Sequence, residues 1–161
     1  MWKKIKPYIL PMAISIIIPV AVGTLAALLT RDSMDIYSEL KTPPLSPPAI
    51  LFPIVWTVLY VLMGISSGTV YINRDNNPKA AERGLKEYAT SLVFNFVWSI
   101  IFFNVRSILA ALVTLLILLY LIIRTILSYR KVLPLAAYLQ IPYALWVAFA
   151  GYLNAGIYFL N

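Results

Sequence analysis

Five stretches of this 161-residue chain are too long and too apolar to be held anywhere but in lipid. They run over about Tyr8–Leu29, Ala49–Ile72, Leu85–Phe103, Ser107–Leu127 and Val132–Leu160. About 20 mostly apolar residues, at about 1.5 Å per residue, carry a helix across a bilayer core. A helix also satisfies its own backbone hydrogen bonds, which lipid demands. Composition points the same way: 61% of the residues are apolar, 12% are charged, and the mean hydropathy is +0.85. Soluble domains carry roughly 45–50% apolar and 25% charged residues, and a chain this short has too little interior to hide the excess. The expected fold class is an all-α membrane protein, a single domain over residues 1–161 built as a bundle of five transmembrane helices. A basic segment, Met1–Lys6, precedes the first stretch. That stretch exceeds the roughly 7–15 residues of a signal-peptide apolar region, so it reads as a span.

The connections set topology. Thr30–Pro48 is the longest, with Asp32, Asp35, Glu39 and the pairs Pro43-Pro44 and Pro47-Pro48. Asn73–Lys86 is polar and mixed in charge, whereas Asn104–Arg106 and Ser128–Lys131 are tight turns that make their flanking helices antiparallel. Lys3, Lys4, Lys6, Arg74, Lys79, Arg83, Lys86, Arg124, Arg130 and Lys131 fall on one side of the membrane. Only Arg31, Lys41 and Arg106 fall on the other. Positive charge marks the cytoplasmic face, which places the N-terminus in the cytoplasm and the C-terminus outside, in a bacterial plasma membrane. The net charge of +7 is thus a topology signal. No basic stripe with interleaved aromatics suggests a nucleic-acid partner.

Cysteine and histidine are both absent. That removes thiol nucleophiles, thiolate and imidazole metal sites, and the commonest general base. No catalytic residue and no metal site is expected. The spans read as free of Asp and Glu, with Arg124 snorkelling from a helix end, which argues against ion-coupled carriers and proton pumps. Their polar groups are neutral: Ser66, Ser67, Asn95, Ser99, Thr114, Gln140 and Asn154. Taken singly, each reads as an interhelical hydrogen-bonding group.

Three spans carry aromatic stripes at helical spacing: Phe52, Trp56, Tyr60 and Met63; Asn95, Trp98 and Phe102; and Tyr143, Trp146, Ala150 and Asn154. Trp2 fits an interfacial anchor. The other three tryptophans lie deeper, where a buried indole N–H wants a partner that Asn95 or Asn154 could supply. Spacing alone leaves two readings open, a ligand pocket or plain packing and anchoring. Gly64-x-x-x-Gly68, and more loosely Gly151 with Ala155, allow close helix approach within the bundle or across a homodimer. Pro19, Pro53, Pro134 and Pro142 are positioned to kink or start helices.

Three blocks carry a resemblance. Pro47-Pro48 leads to Phe52, Val55-Trp56, Leu59-Tyr60 and Met63-Gly64; Asn95-x-x-Trp98 runs into Phe102-Phe103; and Pro142-Tyr143-x-Leu145-Trp146-x-x-Phe149-Ala150 continues to Tyr152-Leu153-Asn154. In order and spacing these resemble the tryptophan-rich sensory protein family, also called the translocator protein or peripheral-type benzodiazepine receptor (TspO/MBR) family, over nearly the whole chain. The resemblance implies a receptor or sensor that binds porphyrin or haem-like tetrapyrroles and isoquinoline-carboxamide drugs inside a five-helix bundle, often dimeric. Tetrapyrrole transport and light-dependent porphyrin degradation are the alternatives it allows. It implies no obligatory cofactor, porphyrin or haem entering as ligand. The implied pocket is closed by the first loop and lined by the first, second, third and fifth spans. Its implied ligand-binding positions are Tyr37 and Pro47 from the first loop, Phe52, Trp56 and Tyr60 from the second span, Asn95 and Trp98 from the third, and Trp146, Ala150 and Leu153 from the fifth. Two departures stand out. Leu45 occupies the place of a family tryptophan two residues before the proline pair, and no basic residue follows Tyr152, where the animal sterol motif requires one.

Overall fold

The computed structural model describes residues 2–33 and 35–161. The side chains of residues 2–7 and of Ile36 are not among what it describes, so the anchoring expected of Trp2 lies outside the described residues. Helix α1 (Trp2–Thr30) passes through a short 3-10 turn, Arg31–Ser33, into the one-turn α2 (Ile36–Glu39). Next come α3 (Leu51–Ile72), α4 (Pro78–Ser99), α5 (Ile108–Arg130) and α6 (Pro134–Leu160). Five of these are long and apolar enough to cross a membrane, and among the described residues there is no strand. The protein is an integral membrane protein.

The third span begins earlier than expected, at Pro78 instead of Leu85. Hydropathy stops where charges begin, but helix propensity does not. Pro78 sits at the first helical position, and the Asn77 side chain accepts the Ala80 N–H at 3.2 Å. Ala, Glu, Arg, Leu and Lys fill the next two turns, and Lys86 donates to Glu82 one turn back at 2.6 Å. At its other end α4 loosens into a π-helical segment, Ile100–Val105, closed by Arg106 in the left-handed region at φ 59°. The prolines act as positioned: Pro134 opens α6, Pro53 sits in the first turn of α3, and Pro142 and Pro19 lie within α6 and α1.

The helices form a ring in the order α1, α3, α6, α5, α4, with a thin seam from α4 back to α1. Although α3 and α4 are consecutive, they touch only slightly, because α6 packs between α3 and α5. The Gly64/Gly68 pair is consumed inside this ring. A Cβ on Gly64 would stand 2.5 Å from Ile16 Cα, and one on Gly68 would stand 2.7 Å from Met12 Sδ, so the pair exists to let α1 lie against α3. A Cβ on Gly151 would meet no other part of the described residues within 4 Å beyond its own helix.

One end of the bundle carries the N-terminus and the connections after α3 and α5; the other carries the 31–50 loop and the turn between α4 and α5. At the N-terminal end the interior is closed by hydrogen bonds. Tyr129 donates to Ser67 Oγ at 2.9 Å, Gln140 Nε2 to Ser66 Oγ at 3.1 Å, and Ser66 Oγ to the Ala136 carbonyl at 2.7 Å. Here the expectation of spans free of acidic groups fails. Glu87, inside the third span, pairs with Arg124 at 2.8 Å, accepts from Ser128 Oγ at 2.8 Å, and leaves only 13% of its side chain exposed. Arg124 does not snorkel freely; its other arm donates to Tyr120 Oη at 2.9 Å. A buried carboxylate holds its charge only with such a partner.

Candidate ligand pocket

At the loop end the same ring of helices does not close. It surrounds a cavity of about 180 Å³ roofed by the 31–50 loop. The α1 wall is smooth, because Gly23, Ala26, Ala27 and Thr30 follow i, i+3, i+4, i+7 spacing and present one small-residue face. The Tyr60 ring lies directly on Gly23, where any Cβ would collide with it at 2.0 Å.

Opposite that face stands an aromatic wall. Trp56 stacks on Tyr60 (centroids 5.5 Å apart, 28° between planes) and lies 6.2 Å from Trp98. Trp98 continues to Phe102 at 5.8 Å, and Phe102 meets Phe103 edge-on at 5.0 Å. Both phenylalanines come from the π-helical segment, whose wider turn lets two consecutive residues line one cavity. Ala150, Leu153, Asn154 and Ile157 of α6 complete the enclosure.

The floor is a three-residue chain. Tyr60 Oη donates to Asn95 Oδ1 at 2.9 Å, and Asn95 Nδ2 donates to Tyr143 Oη at 3.1 Å. Trp98 finds the partner expected of a buried indole, donating from Nε1 to Asn154 Oδ1 at 3.4 Å, while Asn154 Nδ2 donates to the Ile108 carbonyl at 2.8 Å. Ser99 and Thr30 donate back to their own helices, at Asn95 O and Ala26 O. Among the described residues no charged side chain lines the cavity, and these side-chain donors are already committed within the protein. Such a surface suits a flat, apolar guest held by ring contacts.

The roof is tied down at several points. Tyr37 packs edge-on against Phe52 at 5.2 Å and donates to the Pro47 carbonyl at 3.4 Å. Tyr152 donates to the Pro44 carbonyl at 2.8 Å. Pro43 presses on Gly156 so closely that a Cβ there would stand 2.5 Å from its ring. The Asn161 side chain makes a two-way bridge to the Lys41 backbone, at 3.0 and 2.9 Å.

Of the positions expected from sequence, Tyr37, Phe52, Trp56, Tyr60, Trp98, Ala150 and Leu153 line the cavity. Pro47, Asn95 and Trp146 do not; they stand one layer behind it. Pro47 holds Tyr37, Asn95 holds Tyr60, and Trp146 packs on Phe52 at 5.9 Å with its buried indole N–H unpartnered. The first span lines the cavity as the resemblance implied, but its residues Gly23, Ala26, Ala27 and Thr30 were not named beforehand, nor were Ala49, Pro53, Ser99, Phe103 and Ile157. The spacing of small residues on α1 was the available signal.

Comparison with known proteins decides the family. The TspO/MBR family profile matches residues 15–160. The chain is 36% identical to the tryptophan-rich protein TspO of Chlorobaculum tepidum, over 95% of this chain and 97% of that one. It is 35% identical to the translocator protein of Bos taurus, covering 86% and 82% of the two chains, and 34% identical to protein CrtK of Rhodobacter capsulatus, covering 78% of each. The chain belongs to the TspO/MBR family. Within this TspO/MBR chain, Leu45 takes no part in the cavity. It stands at the loop tip with φ 67° and 83% of its surface exposed, so the loop contributes Tyr37 as its only ring over the cavity.

Proposed function

We propose that this protein is a membrane receptor that binds porphyrin or haem-like tetrapyrroles, and flat isoquinoline-carboxamide-type drugs, in the cavity under the 31–50 loop. The observation that carries the reading is the aromatic wall of Trp56, Trp98, Phe102 and Phe103 set with the small residues Ala26, Ala27 and Thr30 of α1 around a cavity with no charged side chain among the described residues. A macrocycle between them gains dispersion and ring contacts on both faces. Each well-placed aromatic contact adds about 0.5–1.5 kcal/mol beyond area burial. With no His or Cys in the chain, haem has neither of those axial ligands, so free-base porphyrin should bind about as tightly as haem.

Binding is favoured over passage by the Tyr60–Asn95–Tyr143 floor and the hydrogen-bonded interior beneath it. The basic residues at the N-terminal end favour a cytoplasmic N-terminus, with the roofed cavity opening toward the outer face of a bacterial plasma membrane. The test is a dark titration of detergent-solubilised protein with protoporphyrin IX, read by tryptophan fluorescence quenching. Saturable micromolar binding that weakens in Trp56→Phe and Trp98→Phe, both still folded, is expected. Quenching that never saturates, or that is equal in wild type and variants, would overturn the reading.

A further inference from the structure

Among the described residues the cavity wall offers no cation, yet biological tetrapyrroles carry carboxylates. Two arginines adjoin the cavity's lining residues in sequence. Arg31 follows the lining residue Thr30, and Arg106 lies three residues after the lining residue Phe103. Asn104 Nδ2 donates to the Leu29 carbonyl at 3.0 Å, which ties these two chain segments together. Both arginines therefore sit on linked segments at the loop end of the bundle, next to residues that line the cavity.

Each arginine faces an acidic side chain, and neither pair is tight. Arg31 Nε stands 3.5 Å from Asp32 Oδ1, with 76% and 90% of the two side chains exposed. Arg106 Nη1 stands 3.8 Å from Glu39 Oε2, with 54% and 62% exposed. Exposed pairs at such distances hold weakly, so their carboxylates are replaceable. A guanidinium fork is also the side chain best shaped to take a carboxylate with two parallel hydrogen bonds. Arg106 is held in a left-handed backbone conformation, which a non-glycine residue adopts at a cost. The surrounding turn fixes it there, and its guanidinium reaches toward the loop helix α2.

We propose that Arg31 and Arg106 form a carboxylate subsite at the cavity mouth. The ring system of the ligand enters the aromatic cavity and its carboxylates displace Asp32 and Glu39. This rests on the tetrapyrrole reading above and narrows it to macrocycles bearing free carboxylates. Because Glu39 ends α2 in the roof, the exchange also moves one tie of the roof from the protein to the ligand.

The test compares protoporphyrin IX with its dimethyl ester on the full-length solubilised protein in the dark. Arg31→Gln and Arg106→Gln should each weaken binding of the acid about fivefold and leave the ester unchanged. Glu39→Gln, which removes the competing carboxylate, should tighten the acid severalfold. Added salt should weaken the acid and spare the ester. Should Arg106→Gln disturb the fold by thermal melting, Arg31→Gln and Glu39→Gln carry the comparison. Acid and ester binding alike, with all three variants indifferent, would overturn the subsite and leave the aromatic pocket standing. If neither compound binds saturably to wild type, the pocket reading itself falls.

Discussion

The two ends of this bundle are built from the same helices and solve opposite problems. At the N-terminal end, tyrosine and serine hydroxyls, a glutamine and a Glu87–Arg124 pair join helix to helix. At the loop end, the polar groups turn inward on their own partners and the facing surfaces are rings and small residues, which leaves a cavity under a tied-down roof. In lipid, apolar contact gives helices little drive to associate, so hydrogen bonds and close packing hold a membrane bundle together. Concentrating them at one end releases the other for a guest. The Tyr60–Asn95–Tyr143 chain is the boundary between the two regimes.

Variants can break that division, and the largest effect is expected where backbone meets backbone. Gly64→Leu would drive a side chain into Ile16 Cα and Ser15 O, atoms that cannot yield without moving α1. Overpacking of this kind costs about 3 kcal/mol or more, and a thermal melt in detergent should show a large loss of folded protein. Next, Glu87→Gln should loosen the N-terminal end by about 1–2 kcal/mol, reduced because Arg124 is 42% exposed, and leave porphyrin affinity unchanged. Tyr129→Phe removes the bond to Ser67 and should cost about 1 kcal/mol of stability, again with no change in binding.

At the loop end the order reverses, with affinity moving more than stability. Trp98→Phe should weaken porphyrin binding by about 1 kcal/mol, roughly fivefold in Kd. Gly151→Ala makes the smallest change. Beyond its own helix nothing among the described residues lies within 4 Å of the added methyl, so helix propensity should raise stability by about 0.5 kcal/mol or slightly more, with affinity untouched. If Glu87→Gln alters binding as much as Trp98→Phe does, the two ends are not independent.

The five spans and their aromatic stripes were legible in the sequence because both are periodic in strong signals, apolarity and ring size. So was the need of a deep indole for a partner, which Asn154 meets for Trp98. The start of α4 was not legible from hydropathy, since Pro78–Lys86 forms helix by capping and propensity outside the apolar window. Glu87 was passed over because a 20-residue apolar average absorbs one carboxylate; its partner lies 37 positions away on α5. The residues of the α1 wall were not singled out, because Gly23, Ala26 and Ala27 act by being absent from the space that the Tyr60 ring and the cavity occupy. The widened turn that brings Phe102 and Phe103 together is a backbone event that residue spacing does not announce.

Since the chain has no cysteine, accessibility can be read one position at a time. Ala150→Cys and Ala137→Cys make a matched pair on α6, one buried at the cavity and the other buried at the N-terminal end. Labelling both in detergent with a small neutral thiol reagent, with and without protoporphyrin IX, tests the division directly. The account predicts that Cys at 150 reacts and is protected by the porphyrin, while Cys at 137 stays unreactive throughout. Equal reaction at both positions, or reaction at 150 that the porphyrin does not slow, would contradict it.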